Sequence, residues 1–321
     1  MCVAIIGGLG YIGRHLVQQL LVLGFKVLII DKNDDRLLVS DLRKFDRTGK
    51  QLTVIKLNLP VINSRFKDLI ISNNVNTVIN VMGVQENSVK TLHLAKFVYC
   101  YLSTSCKKVK TYIHTTPMED NIGYGYDKRL KIDVYPENWL AYHTIHDNGT
   151  HLKVGVLRLS ESYGHDKRLR HRPSKSLWCQ LEGIRNGLIE KLPVHAEAID
   201  TEDGTPLRDY CSVFDTAGGI IDMMTYINKA KGFDFAACDI GSGVDLSVKQ
   251  FIDIYKKHYG VKVVTDPILT DVPRGVLKGD PIGGGEMIGW TRIANSTILN
   301  NDELNTDFLE FEDHLLKQQV C

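Results

Sequence analysis

The sequence predicts an α/β protein built on a doubly wound parallel sheet, followed by a second, smaller domain. Three observations lead there. Short apolar runs rich in branched residues recur through the first half of the chain. Segments with helical periodicity separate them, and alternation of this kind gives a parallel sheet covered on both faces by its crossover helices. The chain has 321 residues, more than one ordinary domain needs, and its pattern changes after Gly164.

Taken in order, the first strand is Cys2–Ile6, followed by a glycine-rich turn and the helical string HLVQQLLVLG. The cycle repeats with KVLIID (Lys26–Asp31), LTVIKL (Leu52–Leu57), an FKDLIIS helix and NTVINVMG (Asn76–Gly83). A helix over Asn87–Ser105 leads to a fifth strand, Val109–Thr116, and a helical stretch around Asn138–Asp147 leads to a sixth, Lys153–Ser160. Beyond residue 164 come a basic loop (His165–Lys175), short irregular segments, helices over Val213–Asn228 and Ser247–His258, and an acidic helical tail at Asp302–Gln318. The boundary falls at 1–164 and 165–321, with the second unit expected to lend elements back to the first.

Composition narrows the class. Hydrophobic residues make up 43% and charged residues 24%, the balance of a folded globular protein. A formal charge of +1 gives no bulk attraction to nucleic acid or anionic membranes, so nucleic-acid and membrane partners are not expected. Seven cysteines, an odd number without a C-x-x-C pair, suit neither a disulfide framework nor a metal site, and a cytoplasmic location is expected. No signal peptide or membrane span is apparent.

The glycine loop carries the first chemistry. Gly7, Gly10 and Gly13 follow a strand and open a helix. Glycine is required there because the backbone must turn tightly and approach a pyrophosphate, while the helix N-terminus, with Tyr11 and Ile12 in its first turn, offers N–H groups to the anion. Asp31, about 20 residues on at the end of the second strand, suits an adenosine ribose and repels a 2′-phosphate, with Lys32 beside it softening that preference. NAD is the expected cofactor.

The string GGLGYIGRHLV resembles the opening of the extended short-chain dehydrogenase/reductase family, in particular its UDP-glucose 4-epimerases. IDTEDGTPLRDYCSVFDTAGG (Ile199–Gly219), DIGSGVDLSVKQFIDIY and GDPIGGGEMIGW (Gly279–Trp290) are similar to later segments of the same family, so the resemblance spans nearly the whole chain. It implies a Rossmann domain, a UDP-sugar substrate and epimerisation at the 4-position through a transient 4-keto sugar. Other nucleotide-sugar reductions or dehydrations are the alternative enzyme class, although a dehydratase usually carries Asp-Glu where Pro117-Met118 follow Thr116. An NAD-binding, RNA-associated relative using the basic loop is the alternative from outside enzymology.

The family oxidises a hydroxyl with a Tyr-x-x-x-Lys pair on one helix face and a Ser or Thr at the preceding strand end. There the lysine cation lowers the phenol pKa. Tyr124 and Lys128 match that spacing, and Thr116 ends the strand; alignment puts Pro117 at the usual serine. Tyr135 is the rival, since Pro136 and Glu137 suit a first helical turn, but Trp139 then stands where the lysine would be. The resemblance also assigns Asn58 and Leu59 to the adenine side and Met82 and Gly83 to the cofactor. Glu161, Arg208, Tyr210 and Arg274 fall to the substrate, the arginines as diphosphate clamps. Glu161 replaces the family's asparagine, and no metal is expected. Members often pair through a four-helix interface, which implies a homodimer.

Overall fold

The first half of the chain, in a computed structural model, runs β1 (Cys2–Ile6), α1 (Tyr11–Val22), β2 (Lys26–Asp31), α2 (Arg36–Arg43), β3 (Leu52–Lys56), α3 (Arg65–Ser72) and β4 (Val75–Asn80). It continues with α4 (Ser88–Ser105), β5 (Thr111–Pro117), β6 (Tyr126–Asp127), β7 (Ile132–Asp133), α5 (Pro136–His146) and β8 (Lys153–Leu159). The second half has β9 (Glu161–Tyr163), α6 (Leu177–Arg185), β10 (Leu192–His195), β11 (Leu207–Ser212) and α7 (Val213–Lys229). After it come β12 (Phe235–Ile240), β13 (Asp245–Ser247), α8 (Val248–Tyr259) and β14 (Thr265–Ile268). The structure describes residues 1–60, 64–82, 88–118, 126–127, 132–133, 136–146, 151–164, 176–195, 201–231 and 234–268. The expected basic loop and acidic tail lie outside them.

Seven strands form the central sheet in the order β12-β8-β5-β4-β1-β2-β3, and every pairing in it is parallel. The order reverses beside β1, which opens a crevice at the carboxyl ends of β1 and β4. Strand alternation sorts side chains between two cores. Val3, Ile5, Val27, Ile29, Leu157 and Leu159 face one side, where Leu16, Leu20, Ile220 and Met223 of α1 and α7 cover them. Ala4, Ile6, Val78, Tyr112, Val154 and Val156 face the other, under Phe66 of α3, Leu94 and Val98 of α4 and Leu140 of α5. Burying a Leu of this kind contributes roughly 1.5–3 kcal/mol.

Helix α1 is buried on every side, its polar residues Arg14, His15, Gln18 and Gln19 included. The flank away from the sheet is taken by α7: Gln19 Nε2 donates to the Phe214 carbonyl at 2.9 Å, and the His15 ring lies between those of Tyr11 and Phe214, at 5.6 and 4.8 Å. Two later elements pack onto the first half, α7 on α1 and β12 beside β8. The rest of the described second half forms a three-stranded sheet, β13-β11-β9, and a β10–β14 pair. Trp178, Phe251 and Tyr255 pack beneath them, where the Tyr255 hydroxyl donates to Glu182 Oε1 at 2.7 Å. No described helix is long and apolar enough to cross a membrane.

Candidate dinucleotide site and adjoining cleft

The turn between β1 and α1 shows why its residues are glycines. Gly7 has φ +83°, a left-handed conformation open to glycine at little cost. A Cβ on Gly13 would stand 2.3 Å from the Gly7 carbonyl oxygen and 2.8 Å from Gly8 Cα, so only hydrogen lets α1 sit this close to the loop. Gly10 caps the helix in extended conformation, its N–H donating to the Gly7 carbonyl at 3.0 Å. The first turn, with Ile12 and Gly13, directs its N–H groups out of the helix end toward the crevice, as any helix N-terminus does.

Asp31 closes β2 beside this turn. It is 5% exposed, and its Oδ2 accepts from the Leu9 N–H at 3.0 Å while Oδ1 accepts from the Asn33 N–H at 2.9 Å. The carboxylate therefore braces the glycine loop and stands where a ribose hydroxyl would meet it. Lys32 and Asn58 are exposed next to it, and Leu59 is buried. Met82, half-buried past the end of β4, donates its N–H to Asn80 Oδ1 at 3.1 Å. Gly7, Gly10, Tyr11, Ile12, Gly13, Asp31, Asn58, Leu59 and Met82 thus gather at the carboxyl ends of β1 to β4. The glycine cradle and its flanking acid fit a dinucleotide. Gly83 lies outside the described residues.

Strand β5 presents a polar row. Thr116 is 1% exposed near its end, and Thr115 Oγ1 donates to the Asn80 carbonyl at 3.0 Å. His114 is fully buried. Because Asn80 Oδ1 is already taken by Met82, the Asn80 amide nitrogen donates to His114 Nδ1 at 3.0 Å, and the Tyr112 hydroxyl lies 3.1 Å from the same nitrogen. Burial pushes the His114 pKa down to about 3.

The expected catalytic helix is described only in part. Tyr124, Lys128 and Tyr135 lie outside the described residues, but Tyr126–Asp127, inside the Tyr124–Lys128 spacing, form β6 and pair antiparallel with Ile132–Asp133. Helix α5 opens at Pro136, because proline is tolerated in a first helical turn and breaks a helix further in. Trp139 packs toward α4, 5.5 Å from the Tyr99 ring and 4.1 Å from that of His143, with Lys96 Nζ 5.4 Å above it.

On the substrate side, Glu161 is half-buried on β9, in register with Tyr210 of β11. Arg208 is 6% exposed and donates from Nη1 to the Leu207 carbonyl at 2.8 Å. Tyr210 is 1% exposed and stacks on Phe251 at 4.0 Å, so its ring packs in the core. Arg274 lies outside the described residues. Asp209, between the two, was not singled out from sequence; it accepts from the Ser242 N–H and hydroxyl, both at 2.6 Å, and from the Gly243 N–H at 2.8 Å, locking β11 to the turn after β12. Arg158 and Asp239, an ion pair between β8 and β12, were also missed, although a lone charge inside the apolar string KVGVLRL was the available signal. No group of three or more potential metal ligands occurs among the described residues.

Comparison with known proteins agrees with this geometry. UDP-glucose 4-epimerase of Bacillus subtilis is 24% identical over 294 residues, covering 82% of this chain and 84% of its own length. That of Caenorhabditis elegans is 25% identical, covering 90% and 93%. Among solved structures, the Bifidobacterium longum UDP-glucose 4-epimerase in complex with NAD⁺ and UDP superimposes with a TM-score of 0.75 at 20% identity, covering 95% of this chain and 96% of that one. The Stenotrophomonas maltophila UDP-glucose 4-epimerase, with bound NAD and formylated UDP-arabinopyranose, gives 0.74 at 18%, covering 99% of each chain. These structural likenesses establish the fold. Residues 3–237 match the NAD dependent epimerase/dehydratase family, and with the glycine cradle, the bracing Asp31 and the all-parallel sheet in place, the chain belongs to that family.

Proposed function

We propose that the protein epimerises the 4-position of a UDP-hexose, using NAD. The observation that carries this reading is the cradle at the carboxyl ends of β1 and β2, in a chain whose similar proteins include UDP-glucose 4-epimerases over more than four-fifths of its length. NAD, when bound, supplies a hydride acceptor that can return the hydride. Gly7, Gly10 and Gly13 would admit its pyrophosphate, and Asp31 its adenosine ribose. Asn58, Leu59, Met82 and Gly83 would line the same crevice.

The chain's own task is proton transfer and anchoring. A tyrosine phenolate takes the proton of the sugar 4-hydroxyl and later returns it to the 4-keto oxygen as the turned-over ketone is reduced on its other face, with Thr116 at the neighbouring strand end. Tyr124, with Lys128, is the pair offered by spacing; the start of α5 at Pro136 favours Tyr135. Arg208 and Arg274 anchor the diphosphate, leaving the hexose free to present either face, with Glu161 at the rim. Incubation with UDP-galactose, followed chromatographically for UDP-glucose beside Tyr124→Phe and Tyr135→Phe variants, tests the reaction and names the tyrosine. Absence of interconversion in the wild type with NAD bound overturns the reading.

Residues 1–164 act as the cofactor domain and 165–321 as the substrate domain, with α7 and β12 returned to the first. A homodimer through α4 and α5 is supported by Tyr142 and Ile145, 60% and 64% exposed on α5 beside the Tyr99, Trp139 and His143 rings. Sedimentation of the wild type against Ile145→Glu tests it. Among the described residues the six cysteines are free, which supports a reducing, cytoplasmic setting.

A further inference from the structure

Arg158 interrupts a strand that is otherwise apolar. Val154 and Val156 of β8 face the α5 side of the sheet, Leu157 and Leu159 the other, so alternation puts Arg158 on the α5 side at the carboxyl end. Both neighbouring strands are polar at the same level. Thr116 of β5 and Asp239 of β12 are in register with Arg158, and alternation in β5 and β12 places them on the same face. Asp239 is 3% exposed and accepts from Arg158 Nε at 2.5 Å, an anchor that steadies the guanidinium from one side.

The rest of that guanidinium is uncommitted. The Arg158 side chain is 43% exposed, and its hydrogen bonding among the described residues is confined to Nε. A guanidinium has five donors in a rigid fork matched to planar oxyanions, so its terminal nitrogens remain available. A second observation points the same way. Ser160, two residues on and 6% exposed, has a buried hydroxyl with no hydrogen-bond partner among the described residues. An unsatisfied buried hydroxyl is costly, and a bound group would recover that cost. In parallel sheets, ligands bind outside the carboxyl ends of the strands, which is where these groups stand.

We propose that Arg158, steadied by Asp239 and joined by Ser160, forms an oxyanion-binding site at the carboxyl edge of β8 that receives an anionic group of the substrate, a carboxylate or a phosphoryl group. The choice of nucleotide sugars as probes rests on the epimerase reading above. The site itself does not.

Calorimetric titration of the NAD-loaded protein with UDP, UDP-glucose and UDP-glucuronate tests the proposal on the wild type, Arg158→Lys, Arg158→Gln and Ser160→Ala. Losing the fork in Arg158→Lys should weaken binding about tenfold. If the bound group is a sugar carboxylate, only UDP-glucuronate weakens; if it is a phosphoryl group, all three weaken alike. Ser160→Ala shifts the same ligands in the same pattern, by less. Should Arg158→Gln unfold by removing the cation beside buried Asp239, Arg158→Lys keeps a cation there and carries the test. Wild-type affinity for all three ligands in Arg158→Lys and Ser160→Ala overturns the proposal and leaves Arg158 as a counterion of Asp239. If the wild type binds none of the three, the epimerase reading fails. Inorganic phosphate then decides for the site, which stands if phosphate binding depends on Arg158 and falls if it does not.

Discussion

Two ends of one sheet divide the work differently. Around β1, α1 and β2 the chemistry belongs to the backbone: a left-handed Gly7, a Gly13 that admits no Cβ, and a helix end presenting N–H groups. Around β5 and α5 it belongs to side chains, and their placement depends on where a helix begins. A backbone site is specified by a local spacing of six residues and survives sequence divergence. A side-chain site joins elements across a loop of any length, so one proline moves its reference point. Pro136 does so here, opening α5 eleven residues after the Gly125 that follows Tyr124.

That contrast can be tested in order of expected effect. Replacing the true acid–base tyrosine by Phe should lower turnover by roughly 10²–10⁴ while leaving NAD affinity intact; equal, mild losses in Tyr124→Phe and Tyr135→Phe would remove the contrast. Gly13→Ala drives a Cβ to within 2.3 Å of backbone oxygen, and a loss of about 1–3 kcal/mol or more is expected, read as a lowered Tm together with weakened NAD binding. Asp31→Asn keeps an acceptor for the Leu9 N–H but removes the charge, so NAD should bind about tenfold more weakly and discrimination against NADP should narrow. Gly24→Ala is the mildest: φ is +83° but nothing stands within 4 Å, so about 1 kcal/mol of stability should go, with no change in cofactor affinity.

The β5 end makes a separate prediction for acid. The buried, neutral His114 has its pKa pushed from an ordinary 6.5 down to about 3, so below 6.5 the unfolded chain binds a proton that the folded chain refuses. The stability this ring contributes is complete above about pH 6.5 and drains away as the pH falls toward 3. Denaturant midpoints measured across that window should fall more steeply for the wild type than for His114→Phe, and parallel slopes would count against the assignment.

Much of the fold was legible because its signals are periodic and local. The first-half strands of the central sheet, the helix after the glycine loop and the helices over Val213–Lys229 and Val248–Tyr259 all follow from apolar spacing and turn residues. Helix α6, short and following a basic run, gave too little periodicity to separate it from loop. The three-residue strands β9 and β13 are defined by pairing with β11, a relation that no single segment carries. Within the site, spacing singles out Gly7, Gly10, Gly13 and Asp31, whereas Asn58, Leu59, Met82 and Gly83 rest on the family resemblance. The stacking of Tyr210 on Phe251 was not legible, because that partner lies 41 positions further along the chain. Arg158 was passed over because a charge in a central strand gains meaning only once Asp239 is seen beside it.

The burial of α1 has a consequence for the order in which the protein can be made. The glycine loop and its helix leave the ribosome before α7, yet the flank of that helix is closed by Phe214, and the Tyr11 hydroxyl donates to the Gly164 carbonyl at 2.7 Å. The cradle therefore waits on residues synthesised some 150 to 200 positions later, and such long-range closure is paid in chain entropy before its contacts reward it. A nascent chain ending before α7 leaves His15 and Gln19 without the surface that covers them. Cofactor capture during synthesis is then a report that the chain has already assembled through the start of α7.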